Sequence, residues 1–261
     1  MQRILKEEIC RAFCGVGMKI SLAVGMVISL AHVLQYGLAN HSMLQSLDFT
    51  KVSILHPIPV VEGWMAGNTY NLESFIYFLL LPLLATIPFG LSYFDEKTHG
   101  VLHNMFMRVS RKQYFIAKYA ATFLSGGTAI IIPLLANLLL TMLLLPNHVG
   151  TNILTGNSID AAKIGYELYF NHPGAYLGCY FILDFLLGGV FACAALVGSY
   201  VSAYRIVNAI IPFFLQLAIY VACSIVGKEG YTSIYFAQAG YGIYMIWIPL
   251  AYIIILGGDK M

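Results

Sequence analysis

Apolar residues in this chain come in long unbroken runs separated by short polar segments. Six runs stand out, at residues 16–38, 72–93, 119–145, 176–197, 207–226 and 239–257. A hydrocarbon core about 30 Å thick is crossed by about 20 apolar residues in a helix. A strand barrel would show stretches of about ten residues with alternating character instead. The pattern predicts an all-α integral membrane protein, with a single transmembrane domain over residues 1–261 and six spanning helices. Pro82 and Pro88 in the second run, and Gly126, Gly127 and Pro133 in the third, are helix breakers. Lipid tolerates them where neighbouring helices take up the freed backbone groups.

Composition narrows the class further. The chain is 59% apolar and 10% charged, against about 45–50% and about 25% in soluble domains. Its mean hydropathy is +0.78. That leaves too little polar surface for a body in water and excludes disordered, collagen-like and disulfide-scaffold chains. A formal net charge of +2 gives no support for nucleic-acid binding. Cys179, Cys193 and Cys223 fall inside apolar runs, where a thiol is a small hydrophobe. Cys10 and Cys14 have no matching Cys or His pair for a zinc site.

Positive charge sets the expected orientation. With the N-terminus inside, the inner segments hold Arg3, Lys6, Arg11, Lys19, Lys97, Arg108, Arg111, Lys112, Lys118, Arg205 and Lys260, and the outer ones only Lys51, Lys163 and Lys228. Both termini are therefore expected in the cytoplasm of a multi-pass cell-membrane protein. The first run exceeds a signal-peptide core of 7–15 residues, so it reads as an uncleaved span. Ahead of it, Ile4, Leu5, Ile9 and Phe13 share one helical face. They predict an amphipathic interfacial helix over 1–15, with Arg3, Lys6 and Arg11 near anionic headgroups. The outer segments 39–71 and 146–175, with His56 to Pro59, Trp64, Asn147, Asn152, Asn157 and Tyr166 to Tyr169, are longer than turns need. Their Trp and Tyr read as interface anchors.

Charge concentrates in the inner segment 94–118, where Asp95, Glu96, Lys97, Arg108, Arg111, Lys112 and Lys118 lie. Within it Val101, Leu102, Met105, Phe106 and Val109 form an apolar ridge at helical spacing. Gly100 loosens the backbone before the ridge, and Ser110 is a candidate N-cap for the helix from Arg111. Physics alone leaves two readings open. The short helix inserts into a partner's groove, or it lies flat on the bilayer rimmed by snorkelling Lys and Arg.

Glu96-Lys97-x-x-Gly100 followed by Arg108-Val109-Ser110-Arg111-x-x-Tyr114-x-x-x-Lys118 resembles the permease subunits of type-2 ABC exporters. In that family an E-x-G-type element ends the second span, a coupling helix follows, and a V-S-R-type element opens the third. The six runs, the leading amphipathic segment and the length resemble it as well. The resemblance implies a cytoplasmic nucleotide-binding ATPase subunit as partner and a second permease copy or paralogue. ATP and Mg would then be bound by the ATPase and none by this chain. Val101, Leu102, Met105 and Phe106 would be the buried contacts, with Asp95, Glu96, Lys97, Arg108 and Arg111 setting charge complementarity and Gly100 and Ser110 shaping the segment. The chain has no P-loop of its own, since Ala222 and Glu229 flank Gly227-Lys228 where Gly and Ser or Thr belong. A re-entrant hairpin before the last span, common in the family, would have to borrow from Thr232 to Ala239.

Asp184 lies near the middle of the fourth run. A central charge costs about 2.5–3.5 kcal/mol on insertion scales, so it is expected to face the interior, as a pathway residue or a packing hydrogen bond. His32 reads as a satisfied interior histidine, and Gly126-Gly127 and Gly188-Gly189 as close-packing positions. No H-E-x-x-H or G-x-S-x-G occurs, and the chain is not expected to be an enzyme. Expected cargo is hydrophobic or amphipathic: a peptide, drug or lipid component. A secondary transporter, or a sensor or accessory subunit that transports nothing, is the alternative.

Overall fold

The computed structural model of the chain describes residues 2–46, 58–67, 71–146, 164–241, 248–251 and 254. All its regular elements there are helical. An amphipathic α1 (Gln2–Cys14) precedes α2 (Val16–His32), which runs through a π-helical turn, Val33–Gly37, into α3 (Leu38–Ser46). There follow α4 (Val60–Gly63), α5 (Leu72–Thr86), α6 (Ser92–Thr98), α7 (Val101–Arg108) and α8 (Arg111–Leu144). The chain then forms α9 (Tyr166–Asn171), α10 (Pro173–Val201), α11 (Arg205–Ile225), a 3-10 turn Glu229–Tyr231 and α12 (Ser233–Phe236).

Among the described residues, four helices are long and apolar enough to cross a membrane: Val16–Ser46, Arg111–Leu144, Pro173–Tyr200 and Arg205–Ile225. Helix α5, with 15 residues, is shorter than the expected run 72–93. Pro88 accounts for the difference, since it offers no N–H to continue the ladder, although Ile87 itself keeps helical dihedrals as the C-cap of α5. The Leu84 carbonyl that residue 88 would have capped accepts instead from Ser21 Oγ of α2 at 2.6 Å. Most of the expected last run, 239–257, lies outside the described residues, as do His56, Pro57, Asn147, Asn152 and Asn157.

The distribution of side chains inverts that of a soluble bundle. Helix α2 buries Met18, Ser21, Gly25, Ser29 and His32, while Val16, Ile20, Val24, Val27 and Leu30 on its other face are exposed. Small and polar residues turned inward, with aliphatics turned out, suit a bilayer, where close packing and hydrogen bonds rather than water hold helices together. Helices α8 and α10 interlock at the core through their glycine pairs. A Cβ on Gly126 would come within 2.5 Å of the Ala192 Cβ, and one on Gly189 within 2.5 Å of the Phe123 ring.

Candidate functional site

One end of the bundle carries a cap built from α1, α6, α7 and the first turns of α8. Gly100, with φ +70°, makes the left-handed turn between α6 and α7, a conformation other residues rarely take. Ser110 stands at the N-cap of α8, although its hydroxyl makes no capping bond.

Beneath the cap sits a buried ionic cluster. Lys118 Nζ on α8 reaches Glu96 Oε1 on α6 at 2.7 Å and Glu8 Oε2 on α1 at 3.0 Å. Arg11 Nη1 bridges the same two acids at 3.0 Å and 2.8 Å. The Tyr114 hydroxyl donates to Glu96 Oε2, and the ammonium also sits 4.6 Å from the centre of the Phe89 ring. Two cations thus meet two anions, and their positions join three elements. Burial alone would push the Glu96 carboxyl up. Lys118, Tyr114 and Arg11 outweigh it and hold the group below its ordinary value.

Glu96 therefore sits apart from the partner-facing set expected from the sequence: it is 5% exposed and spent within the chain. Arg11, expected near headgroups, is spent partly in the same cluster. Glu8 received no role from the sequence, yet it falls between Leu5 and Ile9 and Ala12 on the inward face of α1. An acid set in an apolar stripe is the signal that could have found it. Phe13, assigned to that stripe, points outward.

Helix α7 has two distinct faces. Leu102, Met105, Phe106 and Val109 pack against Tyr93, Tyr114 and Leu196 of the chain's own body. Phe106 meets Tyr114 edge-on at 5.5 Å, and the Arg111 guanidinium lies 5.4 Å over the Phe106 ring. The expected ridge is thus largely an internal contact, because the cap closes onto α8 and α10. Val101, His103, Asn104 and Met107 remain exposed, Met107 at 70%. Lys97 is also exposed, and Asp95 takes Arg205 of α11 as a bidentate partner at 2.8 Å and 3.2 Å. The side chain of Arg108 lies outside the described set.

Asp184 of α10 is fully buried, and neither carboxyl oxygen has a hydrogen-bond partner among the described residues. His32 is held on both sides, by Asn137 Nδ2 at 3.3 Å from Nδ1 and by the Asn71 amide at 3.1 Å from Nε2. Asn137 Oδ1 accepts the Met65 N–H at 2.8 Å, which fixes its Nδ2 as the donor to His32. The His32 proton then belongs on Nε2. Turning the Asn71 amide puts its otherwise unpartnered Oδ1 on that N–H.

The far end of the bundle is closed by two chain segments that fold back inside. Trp64, expected as an interface anchor, is 0% exposed and packs 5.3 Å from Phe181. Tyr169 is likewise buried. The segment after α11 lies against them: the Gly240 N–H donates to the Ala66 carbonyl, and Tyr176 Oη to that of Ala239 at 2.7 Å. Ile234, Phe236, Ala237 and Ala239 are buried in the same cluster as Trp64. Among the described residues no group of three or more His, Cys, Asp or Glu is placed to hold a metal ion.

Compared with known proteins, the chain matches no family model, and no curated protein or solved structure is significantly similar to it.

Proposed function

We propose that this chain is the permease subunit of an ATP-driven exporter of the type-2 ABC kind. It crosses the membrane six times with both ends in the cytoplasm, pairs with a second permease, and is driven by a separate ATPase subunit. The observation that carries this reading is the cap. A short helix, α7, projects an exposed face of Val101, His103, Asn104 and Met107 from a base bonded to α1 and α8 by Lys118, Glu8 and Glu96. Asp95 links the same base to α11 through Arg205. A push on α7 is delivered to three helices at once, which is what a lever needs. A helix resting flat on lipid would turn its apolar ridge outward, whereas here Leu102, Met105 and Phe106 turn in. The cargo is hydrophobic or amphipathic, in keeping with spanning segments rich in Tyr and Phe.

The buried, unpartnered Asp184 supports a second reading, a secondary transporter driven by an ion gradient. Reconstituting the chain in liposomes with and without a candidate ATPase subunit that co-purifies with it separates the two. Cargo movement that requires ATP, and is lost with Met107→Asp while the chain still folds, supports the permease. Movement by the chain alone under a proton or sodium gradient supports the secondary transporter and overturns the first reading.

A further inference from the structure

A cleft of about 430 Å³ opens between the α1–α2 junction, the turn after α5, and α6. Val16, Ile87 and Phe89 form its apolar wall, and Arg11, Ser92, Asp95, Glu96, His99 and Arg205 its polar one. Val16 and Ile87 are exposed at this wall, and Val16 begins the outward aliphatic stripe of α2. The cleft is thus continuous with the surface that faces acyl chains.

Its unused polar groups are mostly donors, His99 being the exception, since its Nδ1 donates to the Asp95 carbonyl at 2.6 Å and its Nε2 is left as an acceptor. Glu96 Oε1 is taken by Arg11 and Lys118, and its Oε2 by Tyr114. Both Asp95 oxygens are taken by Arg205. Arg11 bonds through Nη1, which leaves its Nε and Nη2 uncommitted among the described residues. Arg205 likewise keeps Nη1. Ser92 Oγ is buried with no partner among the described residues. Charges around the cleft balance, so net charge does not select its occupant. Spare guanidinium N–H groups and a buried hydroxyl do, and they fit phosphate oxygens.

We infer that this cleft binds a membrane phospholipid, its phosphate held by Arg11, Arg205 and Ser92 and one acyl chain lying along the Val16 side of α2. The inference rests on the chain being a membrane protein and is independent of any ATPase partner. A lipid seated there would wedge α1 against α6 and so bear on the cap.

The test uses the purified full chain, stripped of lipid in detergent, with binding followed by native mass spectrometry and thermal unfolding. The probes are dioleoylphosphatidylglycerol, dioleoylglycerol and inorganic phosphate. One phosphatidylglycerol should be retained and should raise the unfolding temperature, while dioleoylglycerol and inorganic phosphate at equal concentration do not. Arg205→Gln should weaken binding about tenfold, the worth of one charge-assisted bond. Asp95→Asn should strengthen it, because it frees the Arg205 fork. A merely structural Asp95–Arg205 pair would make both variants weaken it. The inference is overturned if dioleoylglycerol binds equally, if inorganic phosphate alone gives the full shift, or if Asp95→Asn binds less.

Discussion

The side-chain amide of Gln216 on α11 donates to the backbone carbonyl of Phe78 on α5 across 2.8 Å. Phe78 stands four residues before Pro82, so its carbonyl faces the one helix position that has no N–H to offer. A side chain from another helix supplies what the proline removed, as Ser21 does for Leu84 ahead of Pro88. In lipid, where no water can step in, this is how a broken helix stays affordable. Gln216→Leu should lower stability by about 1–2 kcal/mol, partly offset because Gln216 Oε1 has no partner among the described residues. The sharper readout is coupling. In a Pro82→Ala background, where the backbone N–H returns, the same Gln216→Leu should cost markedly less in detergent unfolding. Strictly additive effects would show that the bond does not answer the proline.

Lys118 is fully buried between two carboxylates and beside Arg11. Removing Lys118 leaves two buried carboxylates with the half-exposed Arg11 alone to offset them, and breaking a buried pair in this way costs about 3–5 kcal/mol. Lys118→Met should therefore unfold the cap at substantially lower temperature. Adding Glu8→Gln and Glu96→Gln should recover much of the loss, since the stranded anions are then gone. Proteolysis within α6 and α7 reports the cap directly. Equal resistance of Lys118→Met and the parent would refute the cluster's role.

Acid should loosen the same region. The Glu96 carboxyl is held below its ordinary value in the folded chain, so the unfolded chain binds the proton more readily. Its contribution is complete above about pH 4.3, the ordinary glutamate value. It is lost as pH falls through the lower, folded value. Protection of α6 and α7 from hydrogen exchange, corrected for intrinsic rates, should fall across that window in the parent. In Glu96→Gln the step should be absent. A parent profile without a step below pH 4.3 would sink the assignment.

Much of this architecture could be read from the sequence, and the reasons differ by element. Residues 119–145 and 176–197 read as helices because their hydropathy is continuous; α10 contains the second run, and α8 the first up to Leu144. The glycine pairs read as close-approach sites because only an absent side chain permits it. The inward turn of Leu102, Met105 and Phe106 was not legible. A ridge at helical spacing says that a face is apolar, not what covers it, and the cover here is Tyr114 and Leu196. Glu8 with Lys118, 110 positions apart, and Trp64 with Phe181 lie beyond any local pattern. Trp64 was read as an anchor since an amphipathic ring suits a membrane interface. It is core because residues 58–67 fold back into the bundle.

The two faces of α7 should separate under mutation. Phe106 contacts Tyr114 and Phe115 and carries Arg111 over its ring, so Phe106→Ala should destabilise the cap by about 1–3 kcal/mol. Met107 is exposed, and Met107→Asp should change stability by no more than about 0.5 kcal/mol. If α7 is gripped by an ATPase, Met107→Asp should nevertheless abolish stimulation of that ATPase by the permease. A Met107→Asp chain that is both stable and fully stimulating would place the partner elsewhere.

Asp184 presents the opposite balance, a residue whose cost is visible and whose benefit is not. Both oxygens lie buried without a partner among the described residues, on the most enclosed of the long helices. An unsatisfied buried polar group costs about 1–3 kcal/mol. Replacing it with an apolar group of similar volume should recover part of that, so Asp184→Leu should unfold at a higher temperature than the parent. Natural chains keep such groups where activity needs them, at the expense of stability. If the chain exports as proposed, export by Asp184→Leu should fall although the fold is firmer, and Asp184→Glu should retain part of it. Should Asp184→Leu prove less stable than the parent, the carboxyl is held by bound water and belongs to the packing. If it is firmer and any export is unchanged, the acid lies off the pathway that the proposed function requires.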